Sequence, residues 1–202
     1  MKSIIAFLLL LTVFIAAPRA RAYSTMDLNF NLGPSLSQSG GISDLGDPNI
    51  NTGFEFNYFF RENHGLGFSY SNEFDFNGSR KFPGIDSGSI STFDLHYAYR
   101  HFFTPKFHVL FEPGFGWQTL YDQSGDYYWY YAYYDDLSTA LIFDYKLMAR
   151  FILREWDKDE GSTGSFYLGA GIQQIFSYND ELNGKDISGS RLAMLFQIGF
   201  GF

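Results

Sequence analysis

The side chains able to do chemistry in this chain fall into two groups, and their spacing limits what that chemistry can be. The first is a set of charges that recur at alternate positions within otherwise apolar stretches. Glu55, Glu73, Asp94, Glu112 and Asp144 supply the acids, and Arg100, Lys146, Arg150 and Arg191 the bases. Residues two apart share one face of a strand, so these groups meet if the strands close around a common interior. Charges taken out of water must be paired or wetted. Two readings follow: ion pairs that plug the interior, which the alternation favours, or a narrow gated conduit. The second group is four histidines, His64, His96, His101 and His108. None stands at the spacing of a zinc motif, and His96 and His108 fall on the polar alternation, so hydrogen-bonded interior histidines are expected and no metal. With no cysteine, thiolate metal sites, disulfides and a lipid-modified N-terminal cysteine are all excluded. Nothing in the residues calls for a cofactor.

The elements that must position these groups are strands. Eight stretches alternate with a period of two, near 26–33, 53–60, 64–76, 89–103, 107–121, 138–154, 164–177 and 189–202. The second sets Phe54, Phe56, Tyr58 and Phe60 against Glu55 and Asn57. The sixth sets Leu141, Phe143, Tyr145, Leu147, Phe151 and Leu153 against Asp144, Lys146 and Arg150. If the fifth and sixth pair about a loop near Trp129, Glu112 lies across from Lys146. Short links, around Arg61–Asn63 and Thr104–Lys106, and a medium link, Glu155–Thr163, fall at one end. Long links, Pro34–Thr52, Asn77–Gly88, Asp122–Leu137 and Tyr178–Ser188, fall at the other. Membrane barrels are built this way. Pro113 cannot donate to a ladder, and in a barrel without edges it predicts a bulge.

Composition points the same way. Aromatic residues make up 21% of the chain, with 24 Phe and 15 Tyr, and there are 21 Gly. Met1-Lys2 followed by the uncharged stretch Ile4–Ala17 and by Ala20-Arg21-Ala22 has the layout of a secretory signal cleaved after Ala22. The apolar run is too short for a spanning helix, which needs ~20 residues. Residues 23–202 then form the barrel. Loss of Lys2, Arg19 and Arg21 makes the full chain's net charge of −8 still more acidic, which argues against nucleic acid as a partner.

Alternation alone leaves open whether the apolar face looks out to lipid or in on a greasy pocket. The polar face carries Gly65, Gly67, Gly114, Gly116, Gly169, Gly171, Gly199 and Gly201. An eight-stranded interior is just wide enough for side chains, so small residues there make room for large ones. The Phe-rich face is too bulky for that space and is assigned to lipid.

Two segments carry a resemblance to a known class. Phe196-Gln197-Ile198-Gly199-Phe200-Gly201-Phe202 is similar to the C-terminal β-signal of outer-membrane proteins, with Phe196, Ile198, Phe200 and Phe202 as its apolar positions. The strand motifs Glu112-Pro113-Gly114-Phe115-Gly116-Trp117 and Tyr167-Leu168-Gly169-Ala170-Gly171-Ile172 look like those of small OmpA-like and OmpX-like barrels. The resemblance covers residues 23–202 in layout but only short motifs in letters. It implies an all-β, eight-stranded antiparallel up-and-down transmembrane β-barrel in the cell outer membrane. It also implies contact with outer-membrane lipid and lipopolysaccharide, and insertion by the barrel-assembly machinery. Some barrels of this size act on lipid A. The deacylase pattern of His-x-Ser is missing around Ser69-Tyr70-Ser71-Asn72, and the transacylase pattern has only a partial echo in Asp86-Ser87 with His96. No enzyme is expected.

The segment Tyr121–Asp136 is the most distinctive. Tyr127, Tyr128, Trp129, Tyr130, Tyr131, Tyr133 and Tyr134 either continue the strands into an aromatic girdle at the headgroups or offer a contact surface to an unknown surface ligand. Asp122, Asp126, Asp135 and Asp136 are placed to meet divalent cations that bridge lipopolysaccharide. The leading expectation is a structural or surface-interaction role through the long outer loops. A narrow solute channel is the first alternative and a lipid A-modifying enzyme the second.

Overall fold

A computed structural model describes residues 24–45, 50–74, 88–122, 136–157, 163–178, 180–182 and 185–202. The expected signal segment, residues 1–22, and the aromatic segment Tyr127–Tyr134 lie outside these residues.

Strands dominate the described residues: β1 (Met26–Gly40), β2 (Ile50–Arg61), β3 (His64–Phe74), β4 (Gly88–Thr104), β5 (Phe107–Asp122), β6 (Asp136–Asp157), β7 (Thr163–Tyr178), β8 (Glu181–Leu182), β9 (Lys185–Asp186) and β10 (Gly189–Gly201). The eight long strands close into one antiparallel barrel in the order β1-β10-β7-β6-β5-β4-β3-β2, and β8 and β9 form a separate two-residue hairpin. Closure pairs every strand on both sides, which satisfies the backbone without water and removes any free edge. The seam between β1 and β10 pairs Asp27 with Gly201 and Phe30 with Ile198. It is finished by Phe202, whose N–H donates to the Met26 carbonyl at 2.7 Å.

The alternation predicted from sequence is the inside–outside division of the barrel. On β10, burial alternates strictly from Arg191 to Gly201. Outside, Phe115 is 67% exposed, Leu141 66% and Leu66 59%. Phe30, Leu32, Phe60, Phe151 and Phe196 are also exposed around the ring. An unbroken apolar belt of this extent is far larger than a soluble monomer carries. Strands of 11 to 22 residues exceed the roughly ten that cross an apolar band. Inside, glycine makes the room: a Cβ at Gly67 would run into Asn57 and His96, and one at Gly199 into the Tyr167 ring and Asn29.

Two expectations are corrected. Pro113 makes no bulge. β4 and β5 keep one register on either side of it, His96 opposite Gly114 and Tyr99 opposite Phe111, and Pro113 faces Tyr145 in an unshifted β5–β6 ladder. The missing N–H only interrupts pairing between Tyr97–Ala98 and Glu112–Pro113. Secondly, the first strand does not end before Pro34. Pro34 still pairs with Ile50, the register against β10 shifts between Ser35 and Ser37, and the strand runs on to Gly40. There the chain leaves through a positive φ of 77° and enters a short 3-10 turn, Gly41–Leu45. The long link after β7 has structure of its own. It carries the β8–β9 hairpin, and it buries Asp180 and Ile187.

Candidate functional site

The charges singled out by alternation all project into the barrel lumen. Glu55, Asp94, Glu112, Asp144 and Arg150 have no exposed surface, and Glu73, Arg100, Lys146 and Arg191 have at most 4%. They form three tiers along the lumen rather than one cluster.

The central tier is built around Glu55 on β2. Its Oε1 accepts hydrogen bonds from Asn29 Nδ2 at 2.8 Å, Asn57 Nδ2 at 2.9 Å and Arg150 Nη2 at 2.9 Å. Its Oε2 accepts from Lys146 Nζ at 3.0 Å. Glu112 does stand opposite Lys146 in the β5–β6 ladder. Its Oε1 accepts from Asn57 Nδ2 at 2.7 Å, and its Oε2 lies 3.9 Å from the Lys146 ammonium. Asp94 accepts from the Ser69 hydroxyl and faces His96 Nδ1 at 2.6 Å. Asp144 accepts from Gln173 Nε2 at 2.8 Å. Arg150 donates through Nε to Gln197 Oε1 at 2.5 Å and through Nη1 to Asp27 Oδ2 at 3.2 Å, and its guanidinium lies over the Tyr167 ring.

Toward the short-link end, Arg100 donates to the carbonyls of Glu62 at 2.6 Å and Ser24 at 2.8 Å and lies 3.8 Å from Asp27. Its guanidinium stacks on Phe59, 3.7 Å from the ring centroid. Toward the long-link end, Arg191 on β10 reaches across the lumen to Glu73 on β3 and to Gln118 Oε1 on β5 at 2.9 Å. Gln118 and Ser138 in turn donate to Asp180, each at 2.7 Å, which ties the last outer link to the lumen wall. Buried apolar side chains share the interior with these charges: Ile90, Leu120 and Ile142, and the cluster Phe59, Ala98, Leu110, Met148, Ala193 and Leu195.

Alternation identified the charges but not the groups that join them. Asp27, Asn29, Asn57, Gln173 and Gln197 sit on the same inward face, and their alternation carried the signal. Asp180 lies in a link, where no period applies.

Glu55, His96 and Glu112 could each offer an atom to one metal ion, with those atoms within 4.8 Å of one another. The Lys146 ammonium already stands 3.0 Å and 3.9 Å from the two carboxylates, and both His96 nitrogens are engaged by Asp94 and Asn57. Lys146 is the cation of this cluster.

Phe196, Ile198, Phe200 and Phe202 all lie on the outer face of the closing strand, between 36% and 53% exposed. Phe200 packs on Phe166 of β7 at 5.2 Å.

No protein-family model matches the sequence, and a search of curated proteins finds no match. Solved structures do match. Neisserial surface protein A aligns over 87% of this chain and 95% of its own, with a TM-score of 0.59 at 9% identity. The N-terminal β-barrel domain of Pseudomonas aeruginosa OprF aligns over 89% and 98%, with a TM-score of 0.48 at 15% identity. The Yersinia pestis outer membrane protein Ail aligns over 86% and 98%, with a TM-score of 0.44 at 12% identity. At these identities the likeness is one of fold: an eight-stranded antiparallel barrel of the outer-membrane kind, as the sequence resemblance implied.

Proposed function

We propose that this chain, which has the fold of the small eight-stranded outer-membrane barrels, is a sealed scaffold of a bacterial outer membrane that holds its long loops at the cell surface for contact with other molecules. The apolar belt supports residence in a bilayer. The observation that carries the rest is the lumen centre. Glu55 alone ties β1, β2 and β6 together through Asn29, Asn57, Lys146 and Arg150, and a cluster of buried apolar side chains shares the interior with them. A solute path would have to break charge-assisted hydrogen bonds and leave buried charges unpaired, at about 3–5 kcal/mol for each broken pair.

Purified barrel reconstituted in planar bilayers should therefore show no steady conductance above that of protein-free membrane. Sustained single-channel steps would favour the solute-channel reading instead. A lipid-modifying enzyme is disfavoured by His96. It is the histidine nearest in sequence to Asp86–Ser87, yet it is buried on Asp94 and Asn57, out of reach of a lipid-facing rim. Unchanged lipid A mass spectra with and without the protein are expected.

The partners this reading implies are outer-membrane lipid, lipopolysaccharide, the barrel-assembly machinery acting on the β10 face, and a surface ligand met by the outer loops. Neisserial surface protein A, which shares the fold, is by its name a surface protein, which accords with such a role. Deleting Tyr127–Tyr134 should abolish binding to host or neighbouring cells while leaving the folded barrel intact. Full binding by the deletion variant would remove that segment from the contact surface.

A further inference from the structure

The hydrogen bonds around His96 fix its proton count. Asn57 Nδ2 donates to two carboxylate oxygens, Glu55 Oε1 at 2.9 Å and Glu112 Oε1 at 2.7 Å. Turning that amide over would set its carbonyl oxygen against both carboxylates, so its orientation is settled by charge. Asn57 Oδ1 therefore faces His96, 2.8 Å from Nε2, and it can only accept. On the other side of the ring, Nδ1 lies 2.6 Å from Asp94 Oδ1. Asp94 already accepts from Ser69 through its other oxygen. Both ring nitrogens thus face acceptors, and a neutral imidazole has only one N–H to give.

We propose that His96 is a fixed imidazolium that locks the lumen centre, its two N–H groups joining Asp94 on β4 to Asn57 on β2. The charged groups packed against it come from every neighbouring element. β2 supplies Glu55, β4 supplies Asp94, β5 supplies Glu112 with its oxygen 3.6 Å from Nε2, and β6 supplies Asp144 and Lys146. β3 contributes no charge here, only Ser69 and the space above Gly67. Carboxylates outnumber the fixed cations of this tier, and one oxygen each of Glu112 and Asp144 is buried without a hydrogen-bond donor. A proton on His96 offsets that excess. Without it, a lone pair on one ring nitrogen would point at an acceptor oxygen in a site that water does not reach.

This inference deepens the sealed-barrel reading and rests on it only for the consequence. The test is ring nitrogen NMR on the full barrel, histidine-labelled and folded in lipid nanodiscs. His64, His101 and His108 make none of the contacts to His96, so replacing each by Gln one at a time keeps those contacts in place. The histidine signal present in all three variants is His96. At about pH 8, where a free ring with a value of ~6.5 is neutral, both of its nitrogens should still read as protonated. Asp94→Asn should turn that signal neutral at the same pH and lower the barrel's resistance to urea. A single-proton ring at about pH 8 in the wild-type barrel would overturn the proposal, whether or not the Asp94 variant folds. A conducting barrel with a charged His96 would instead sink only the sealed reading.

Discussion

Arg150 shows what a single residue must do in this lumen. It has no exposed surface, yet it meets Glu55, Asp27 and Gln197 and lies over Tyr167, so four strands are held by one side chain. Arg150→Met keeps much of the volume and removes the charge. It leaves two buried carboxylates short of a donor and should cost about 3–5 kcal/mol, read as a lower urea midpoint in lipid vesicles. Such charges were legible in the sequence because each interrupts an apolar run at the right spacing. Their amide partners were not. Asn29, Asn57, Gln173 and Gln197 differ little, as letters, from polar filler on a lumen face, and only geometry shows each bonded to a charge on another strand.

Among the elements, β5 shows how far alternation carries. Phe111, Phe115 and Trp117 point outward while Leu110, Glu112 and Gln118 point in, through a proline that breaks pairing without shifting register. Phe115→Arg puts a charge on the lipid face near the middle of the strand. It should destabilise the barrel by about 2–4 kcal/mol in vesicles. The same change at Phe103, near the short-link end, should cost only about 0–1 kcal/mol. Equal losses at both sites would argue that this face does not lie in a bilayer. The alternation places the first strand near 26–33, short of Pro34. The strand continues because the shift against β10 between Ser35 and Ser37 absorbs the irregularity. A local exchange of register of that kind leaves no periodic trace.

For the molecule as a whole, strand order and closure came with the resemblance to small outer-membrane barrels, while strand number and the division of the links between two ends followed from counting alternating stretches and ranking the links by length. Both properties are one-dimensional. The sealing of the lumen is not, since it depends on which inward side chains meet across the barrel. Arg191 reaches Glu73 and Gln118, and Asp180 turns inward to Gln118 and Ser138, only because the closed ring brings distant strands together. The chain has no cysteine, so single cysteines can be placed at will. The most direct test is a spin-label scan along β6 from Leu141 to Phe151, with the barrel in lipid bilayers. Labels at positions 141, 143, 147 and 151 should relax with lipid-dissolved oxygen, and those at 142, 144, 148 and 150 should be shielded from it. The opposite alternation, or equal access on both faces, would contradict a barrel that turns its Phe and Leu side chains to hydrocarbon and its charges inward.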